Sequence, residues 1–182
     1  MIRDGIQASR RCDVADDIII AAGWRAGAIG DIVALHGRYY AQRWAFGPFF
    51  EAKVASDLAE FIKQLHQHPS QLWCAMDSMG RVVGAIAIDG RHGRDQGAHL
   101  RWFILDSCCR GLGLGSRLLD TALAFCRDAD FARVSLWTFE GLVEARRLYE
   151  SRGFALAEEL SGQTWGKTVT EQRFELIVQA KK

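Results

Sequence analysis

The sequence predicts a mixed α/β fold, with one central sheet of about seven strands, mostly antiparallel, flanked by about four helices. Three observations carry this expectation. Hydrophobic periodicity switches repeatedly between helical spacing and short β-rich runs, in the order β-α-α-β-β-β-α-β-α-β-β. Two of the β-rich runs, 72–76 and 81–89, face each other across the turn Asp77-Ser78-Met79-Gly80, so a hairpin interrupts the alternation and the sheet is mixed. The chain has 182 residues, 49% hydrophobic and 25% charged, which suits one domain with its own core.

The elements follow in order. Residues 1–16 are polar and mixed and read as an arm entering a single domain over 17–182. Ile18-Ile19-Ile20-Ala21 is a short apolar run, a first strand. Ile29, Ile32, Val33, His36 and Tyr40 then recur at helical spacing, which makes 28–44 an amphipathic helix. Gly47-Pro48 stops it and starts the next, with Pro in a favoured first helical position. Phe50, Val54, Leu58, Phe61, Ile62 and Leu65 form the clearest helical stripe, ended by His68-Pro69-Ser70. After the hairpin, Gly90 to Gly97 is a polar loop and His99 to Leu105 a strand. Leu114, Leu118, Leu119, Ala122, Phe125 and Cys126 give a helix over 113–128. Arg133 to Phe139 is a strand, and Leu142, Ala145, Leu148 and Tyr149 mark a short helix closed by Gly153. Phe154 to Leu160 and Glu171 to Val178 are the last two strands, with a loop at 162–167 between them.

Composition narrows the function. Lys plus Arg number 23 and Asp plus Glu 22, a net charge of +1, without the basic footprint of a nucleic-acid binder. Five Cys, at 12, 74, 108, 109 and 126, are odd in number and without framework spacing, so they read as reduced thiols. No apolar run approaches the ~20 residues of a membrane span, and the residues after Met1 are no signal peptide, so a cytoplasmic location is expected. His66, His68 and Cys74 lack metal-ligand spacing, and there is no C-x₂-C pair and no H-E-x-x-H, so no metal is expected.

The chemistry concentrates in Trp102 to Ser116, where a β-run passes through a Gly-rich turn into an amphipathic helix. Glycines let the backbone approach a ligand, and the first amides of a helix lack intrahelical partners, so such a turn is suited to phosphate. The NTPase pattern G-x-x-x-x-G-K-[ST] is absent. The dinucleotide pattern G-x-G-x-x-G fails at Ser116 when started from Gly111, and at Leu118 when started from Gly113. What remains is Arg110-x-x-Gly113-x-Gly115. A Gly-rich turn with no ligand is the plain alternative.

Arg110-Gly111-Leu112-Gly113-Leu114-Gly115 resembles the pyrophosphate-binding motif of the GNAT (GCN5-related N-acetyltransferase) superfamily. Ala145-Arg146-Arg147-Leu148-Tyr149-Glu150-Ser151-Arg152-Gly153-Phe154 resembles its second signature, A-x-x-L-Y-x-x-x-G-F. The resemblance covers about 17–180 and implies the GNAT fold. A narrower likeness, to acetyltransferase domains fused to MarR-type DNA-binding domains in bacteria, rests on Gly30, His36, Gly37, Tyr40, Phe50-Glu51-Ala52, Val54, Leu100 to Phe103, Trp165-Gly166 and Glu171-Gln172. The chain lacks room for a DNA-binding half, so the likeness does not imply a regulator.

The superfamily resemblance implies acetyl-CoA as co-substrate. Its pyrophosphate would lie on the amides of Leu112 to Ser116 beside Arg110, with Gly111 in the same loop. Its pantetheine would lie along Phe103, Ile104 and Leu105, if that strand splays from its neighbour. Tyr149 matches the proton donor to the leaving thiolate, though it also falls on the apolar stripe of its helix. Leu142 stands seven residues earlier, where the family often has Asn. An amine nucleophile must lose a proton, since its pKa is ~10.4. Glu51 is the first candidate base, with first-turn helix stabilisation or substrate binding as its other readings. His36 is the second, with a hydrogen-bonded core role as its alternative, and His99 is weaker. Tyr40, Glu51 and Trp165 are candidate substrate contacts, and Trp165 reads equally as a surface or dimer aromatic. Vicinal Cys108-Cys109 is poorly placed for an ordinary disulfide, and the family pattern is direct attack in a ternary complex rather than an acetyl-Cys. The expectation is an N-acetyltransferase acting on a small-molecule or peptide amine, possible as a homodimer. A non-catalytic acyl-CoA-binding or sensing protein on the same fold is the alternative.

Overall fold

The structure, a computed structural model, describes residues 18–178. The reading of 1–16 as an arm lies outside them, as does Cys12. The elements are β1 (Ile19–Ala22), α1 (Ala28–Trp44), α2 (Pro48–Lys63), β2 (Gln71–Met76), β3 (Val82–Asp89), β4 (Ala98–Leu105), a 3₁₀ turn (Ser107–Cys109), α3 (Leu114–Asp128), β5 (Arg133–Phe139), α4 (Val143–Glu150), β6 (Ala155–Gly162) and β7 (Val169–Ile177). One seven-stranded sheet runs β1-β2-β3-β4-β5-β7-β6. Every neighbouring pair is antiparallel except β4–β5. The mixed sheet with four helices is thus as the sequence predicts. The 3₁₀ turn is additional, and β7 begins two residues earlier than its apolar pattern suggests.

Helices cover both faces. Leu114, Leu118, Leu119, Ala122, Leu123 and Cys126 of α3 are buried against Ile86, Ile88, Leu100, Val134, Leu136 and Phe174 of the sheet. Ile32 of α1 and Phe50, Val54, Leu58 and Phe61 of α2 are buried on the other face with Leu72, Ala85, Trp102, Ile104 and Phe139. Pro48 takes the first position of α2 as expected. The α2 stripe outlasts its helix, since Leu65 is buried although α2 ends at Lys63. Cys74 and Cys126 are buried thiols, their pKa pushed up by burial to about 11 and about 12. That leaves them inert at neutral pH. Among the described residues no helix is long and apolar enough to cross a membrane.

Candidate active site

One backbone irregularity opens the sheet. β3 and β4 pair Ala85 with Ile104 and Ala87 with Arg101, so Ile86 faces two residues, Trp102 and Phe103. This is a β-bulge, and Trp102 adopts φ +47° within it. A bulge bends its strand and raises its twist. β4 pairs with β5 only at Ala98–Val134 and His99–Ser135. Past that point the strands are not paired with each other, and Leu100 to Leu105 and Leu136 to Phe139 line the two walls of a cleft of about 1200 Å³. The splay that the sequence alone does not reveal is therefore present, and Phe103, Ile104 and Leu105 all border it.

The glycine loop closes one end. Asp106 caps the 3₁₀ turn by accepting from Cys108 N–H at 3.1 Å. Gly113, at φ +74°, is the N-cap of α3 and offers no side-chain cap. Leu114, Gly115 and Ser116 open the helix, so their N–H groups have no intrahelical acceptor. Gly111, Gly113, Gly115 and Ser116 line the cleft. Leu114 instead points into the core, and Leu112 stands exposed outside the lining. A Cβ at Gly115 would come within 3.2 Å of Leu105 and 3.5 Å of Leu148. The ligand surface here is main chain with positive partial charge, which fits a diphosphate such as that of acetyl-CoA. Arg110 also borders the cleft. Its guanidinium sits 4.1 Å over the Tyr39 ring and donates from Nη2 to Leu105 O at 3.2 Å.

The other predicted residues separate. Tyr149 lines the cleft from α4, buried among Phe103, Phe154 and Phe174, with ring centroids at 6.1, 5.9 and 6.3 Å. Burial holds its phenol well above the ordinary pKa, so it stays protonated. It is thus both buried on the apolar stripe of its helix and part of the cleft lining. His36 lines the cleft with its Nδ1 2.8 Å from Ile32 O. A carbonyl only accepts, so Nδ1 carries hydrogen and Nε2 is an acceptor in the neutral ring. Burial lowers its pKa to about 4. His99 is lowered to about 4 as well, first by burial and then by Arg101. Tyr40 stacks with His36 at 6.1 Å and packs on Phe46, Phe50 and Phe139. Trp165 meets Phe139 at 5.6 Å, and both line the cleft. Leu142 lines it too, an apolar side chain where an amide was in question.

Glu51 does not join them. The expectation that it faces the substrate end from the apolar side of α2 is corrected by its exposure and by its carboxylate lying over α1, where a Cβ at Gly37 would be 2.8 Å from Oε2. Phe50, Lys53, Val54 and Asp57 are the α2 residues that border the cleft. Glu51 follows Phe50 by one residue, about 100° around the helix from it.

Two polar features have partners that the sequence reading did not give, although Arg101 and Glu171 stand among the residues of the narrower resemblance. The first is an ion-pair chain at the α2 edge. Asp57 receives Lys53 at 3.1 Å and Arg101 at 3.0 Å, and Asp89 receives Arg101 at 3.3 Å and Arg91 at 2.8 Å. Burial pushes the Asp89 carboxyl up, but Arg91 and Arg101 outweigh it and hold it below the carboxylate range. A lone Arg amid the β4 apolar residues was the available signal, but its partners lie 44 and 12 residues away. The second is Glu171 of β7, buried and lining the cleft opposite Phe139 in the β5–β7 register. Its carboxylate accepts from Thr164 N–H at 2.8 Å and from Thr164 Oγ1 at 2.9 Å. Among the described residues no group of three or more His, Cys, Asp or Glu is placed to hold a metal ion.

Known proteins match this geometry. The model of the Acetyltransferase (GNAT) family matches residues 38–154. The human N-acetyltransferase 8B is 23% identical over 155 residues, 84% of this chain and 68% of that protein. The human N-acetylaspartate synthetase is 34% identical over 119 residues, 64% of this chain but only 38% of that protein. Among solved structures, a phosphinothricin acetyltransferase from Sinorhizobium meliloti in complex with acetyl-CoA shares the fold. Its TM-score is 0.69 at 15% identity, over 88% of each chain.

Proposed function

The chain belongs to the acetyltransferase (GNAT) family, and from that premise we propose that it transfers an acetyl group from acetyl-CoA to a primary amine by direct attack in a ternary complex. The single observation carrying this is the β4–β5 splay that ends at the uncapped start of α3. Acetyl-CoA supplies an activated thioester. The residues of the chain hold and orient it: Gly111 to Ser116 offer amides to the diphosphate, and the unpaired edge of β4 offers N–H and C=O groups to pantetheine amides.

Tyr149 is the proton donor in this reading. Its phenol, held protonated by burial, offers hydrogen to the sulfur as the C–S bond breaks and the N–C bond forms, and regains a proton from solvent. His36 would offer Nε2 as an acceptor to a group in the cleft. With a pKa near 4 it is too weak a base to strip an ammonium of pKa ~10.4, so that proton leaves to water. The likeness to acetyltransferase domains fused to MarR-type partners stays with the proposal, because His36, Tyr40, Trp165 and Glu171, which carry part of it, all line the cleft.

A thiol-release assay with acetyl-CoA against a panel of amines tests the proposal. Release with one amine class and acetylated product by mass is expected. Acetyl-CoA binding with no release from any amine would favour the sensing alternative.

A further inference from the structure

The described residues hold three buried carboxylates: Asp77, Asp89 and Glu171. Asp77 is paired with Arg81, and Asp89 with Arg91 and Arg101. Glu171 forms no ion pair with Lys, Arg or His among the described residues, and its donors are the neutral amide and hydroxyl of Thr164. Two donors leave about half of a carboxylate's acceptor capacity open. A buried carboxylate with neutral donors alone is suited to a cationic partner, which would make the stronger charge-assisted hydrogen bond.

The surroundings suit one. Phe139 faces Glu171 across the sheet, and Trp165 packs on Phe139. Trp44 packs edge-on to Phe139 at 5.0 Å. Aromatic faces beside a carboxylate favour an ammonium over a neutral or anionic group. The wall is fixed in place. Lys167 Nζ donates to Trp44 O at 2.8 Å, and Phe49 packs on Gly166, so the loop 163–168 is pinned to the α1–α2 junction.

A cation bound there would not be the attacking amine. Phe174, which touches Tyr149, is three residues along β7, roughly 10 Å from Glu171. A carboxylate contact would also keep an ammonium protonated, which opposes attack. Tyr40 and Phe139, ring centroids 5.8 Å apart, line the same cleft and give it an aromatic surface.

We propose that Glu171 binds a second cationic group of the acceptor. The acceptor is then a diamine-type molecule, with one ammonium at Glu171, an apolar spacer across Tyr40 and Phe139, and the other amine presented towards Tyr149. This rests on the acetyltransferase reading above and names its substrate class.

The test is steady-state kinetics with acetyl-CoA on a series of α,ω-diamines, each against the n-alkylamine of equal length, for wild type, Glu171→Gln and Thr164→Val. Wild type should prefer the diamine through KM by roughly tenfold or more, the size of one charge-assisted hydrogen bond. Glu171→Gln, whose one amide oxygen can still accept from Thr164 N–H while its NH2 donates to Thr164 Oγ1, should raise the diamine KM to that of the alkylamine. Its effect on the alkylamine KM should be several-fold smaller than its effect on the diamine KM. Equal effects of Glu171→Gln on both amines, matched by Thr164→Val, would reduce Glu171 to a loop anchor and overturn the proposal. So would a preference for aspartate that Glu171→Gln leaves intact. Calorimetric titration of the diamines into the protein decides the point even if no amine turns over: binding lost in Glu171→Gln supports the proposal, and no binding to wild type overturns it. Acetyl-CoA binding, measured separately, shows whether the acetyltransferase reading itself has failed.

Discussion

At the Arg110–Ser116 end of the cleft, the glycine loop presents mainly its backbone, with Arg110 beside it, and the nearby side chains of Leu112 and Leu114 point elsewhere. At the Phe139–Trp165–Glu171 end, the lining is dominated by residues with large side chains, drawn from α1, α2, β5, the 163–168 loop and β7. The difference separates a common ligand from an individual one. A diphosphate is the same in every donor molecule, and a fixed backbone shape suits it. An acceptor is particular, and side chains specify it.

Tyr149 stands between the two ends, and its removal has the largest expected effect. Tyr149→Phe should lower kcat by ~10²–10⁴-fold, the range of a lost acid–base group, while acetyl-CoA affinity stays put. Equal loss of affinity would make Tyr149 part of the backbone-built end instead. Gly113→Val comes next. Its φ of +74° is poorly tolerated by a β-branched residue, so the loop must move. Acetyl-CoA affinity should fall by more than about tenfold, since the amides lose their common aim. A variant that binds normally would show that the loop shape does not matter.

How far each end was legible in the sequence follows from the same contrast. Gly111, Gly113 and Gly115 alternate within five residues, and their spacing is visible in a row of letters. The helices and strands were legible for a similar reason, since a stripe such as Leu114, Leu118, Ala122 is local. The β4–β5 splay was not legible, because it depends on a bulge at Trp102 set against β3. The acceptor end was hidden further. Glu171 reads as one polar residue in a strand until Thr164 and Phe139 are beside it. Glu51 looked suitable by residue type and neighbourhood, but one step around α2 places it over Gly37 instead.

A pH series sharpens the comparison at the acceptor end. His36 titrates at about 4 in the fold against 6.5 free. The unfolded chain therefore takes up the proton first as pH drops, and stability present above 6.5 is lost between about 6.5 and 4. At ~1.4 kcal/mol per pH unit, the ceiling for this residue is about 3 kcal/mol. Denaturant melts at stepped pH should show that slope, and His36→Asn should flatten part of it. The kcat/KM profile should show no inflection from His36 between pH 5 and 9. The smallest effect is expected of Glu51→Gln, which should change kcat/KM by less than about twofold, since the side chain is outside the lining.

The most direct measurement is a thermal shift of wild type and Gly113→Val with acetyl-CoA. At a hundredfold excess over Kd, a ligand seated on the α3 amides stabilises wild type by ~2.7 kcal/mol, and the variant should gain little. No stabilisation of wild type by acetyl-CoA, or an equal gain in both proteins, would contradict a donor site built from the Gly111–Ser116 backbone.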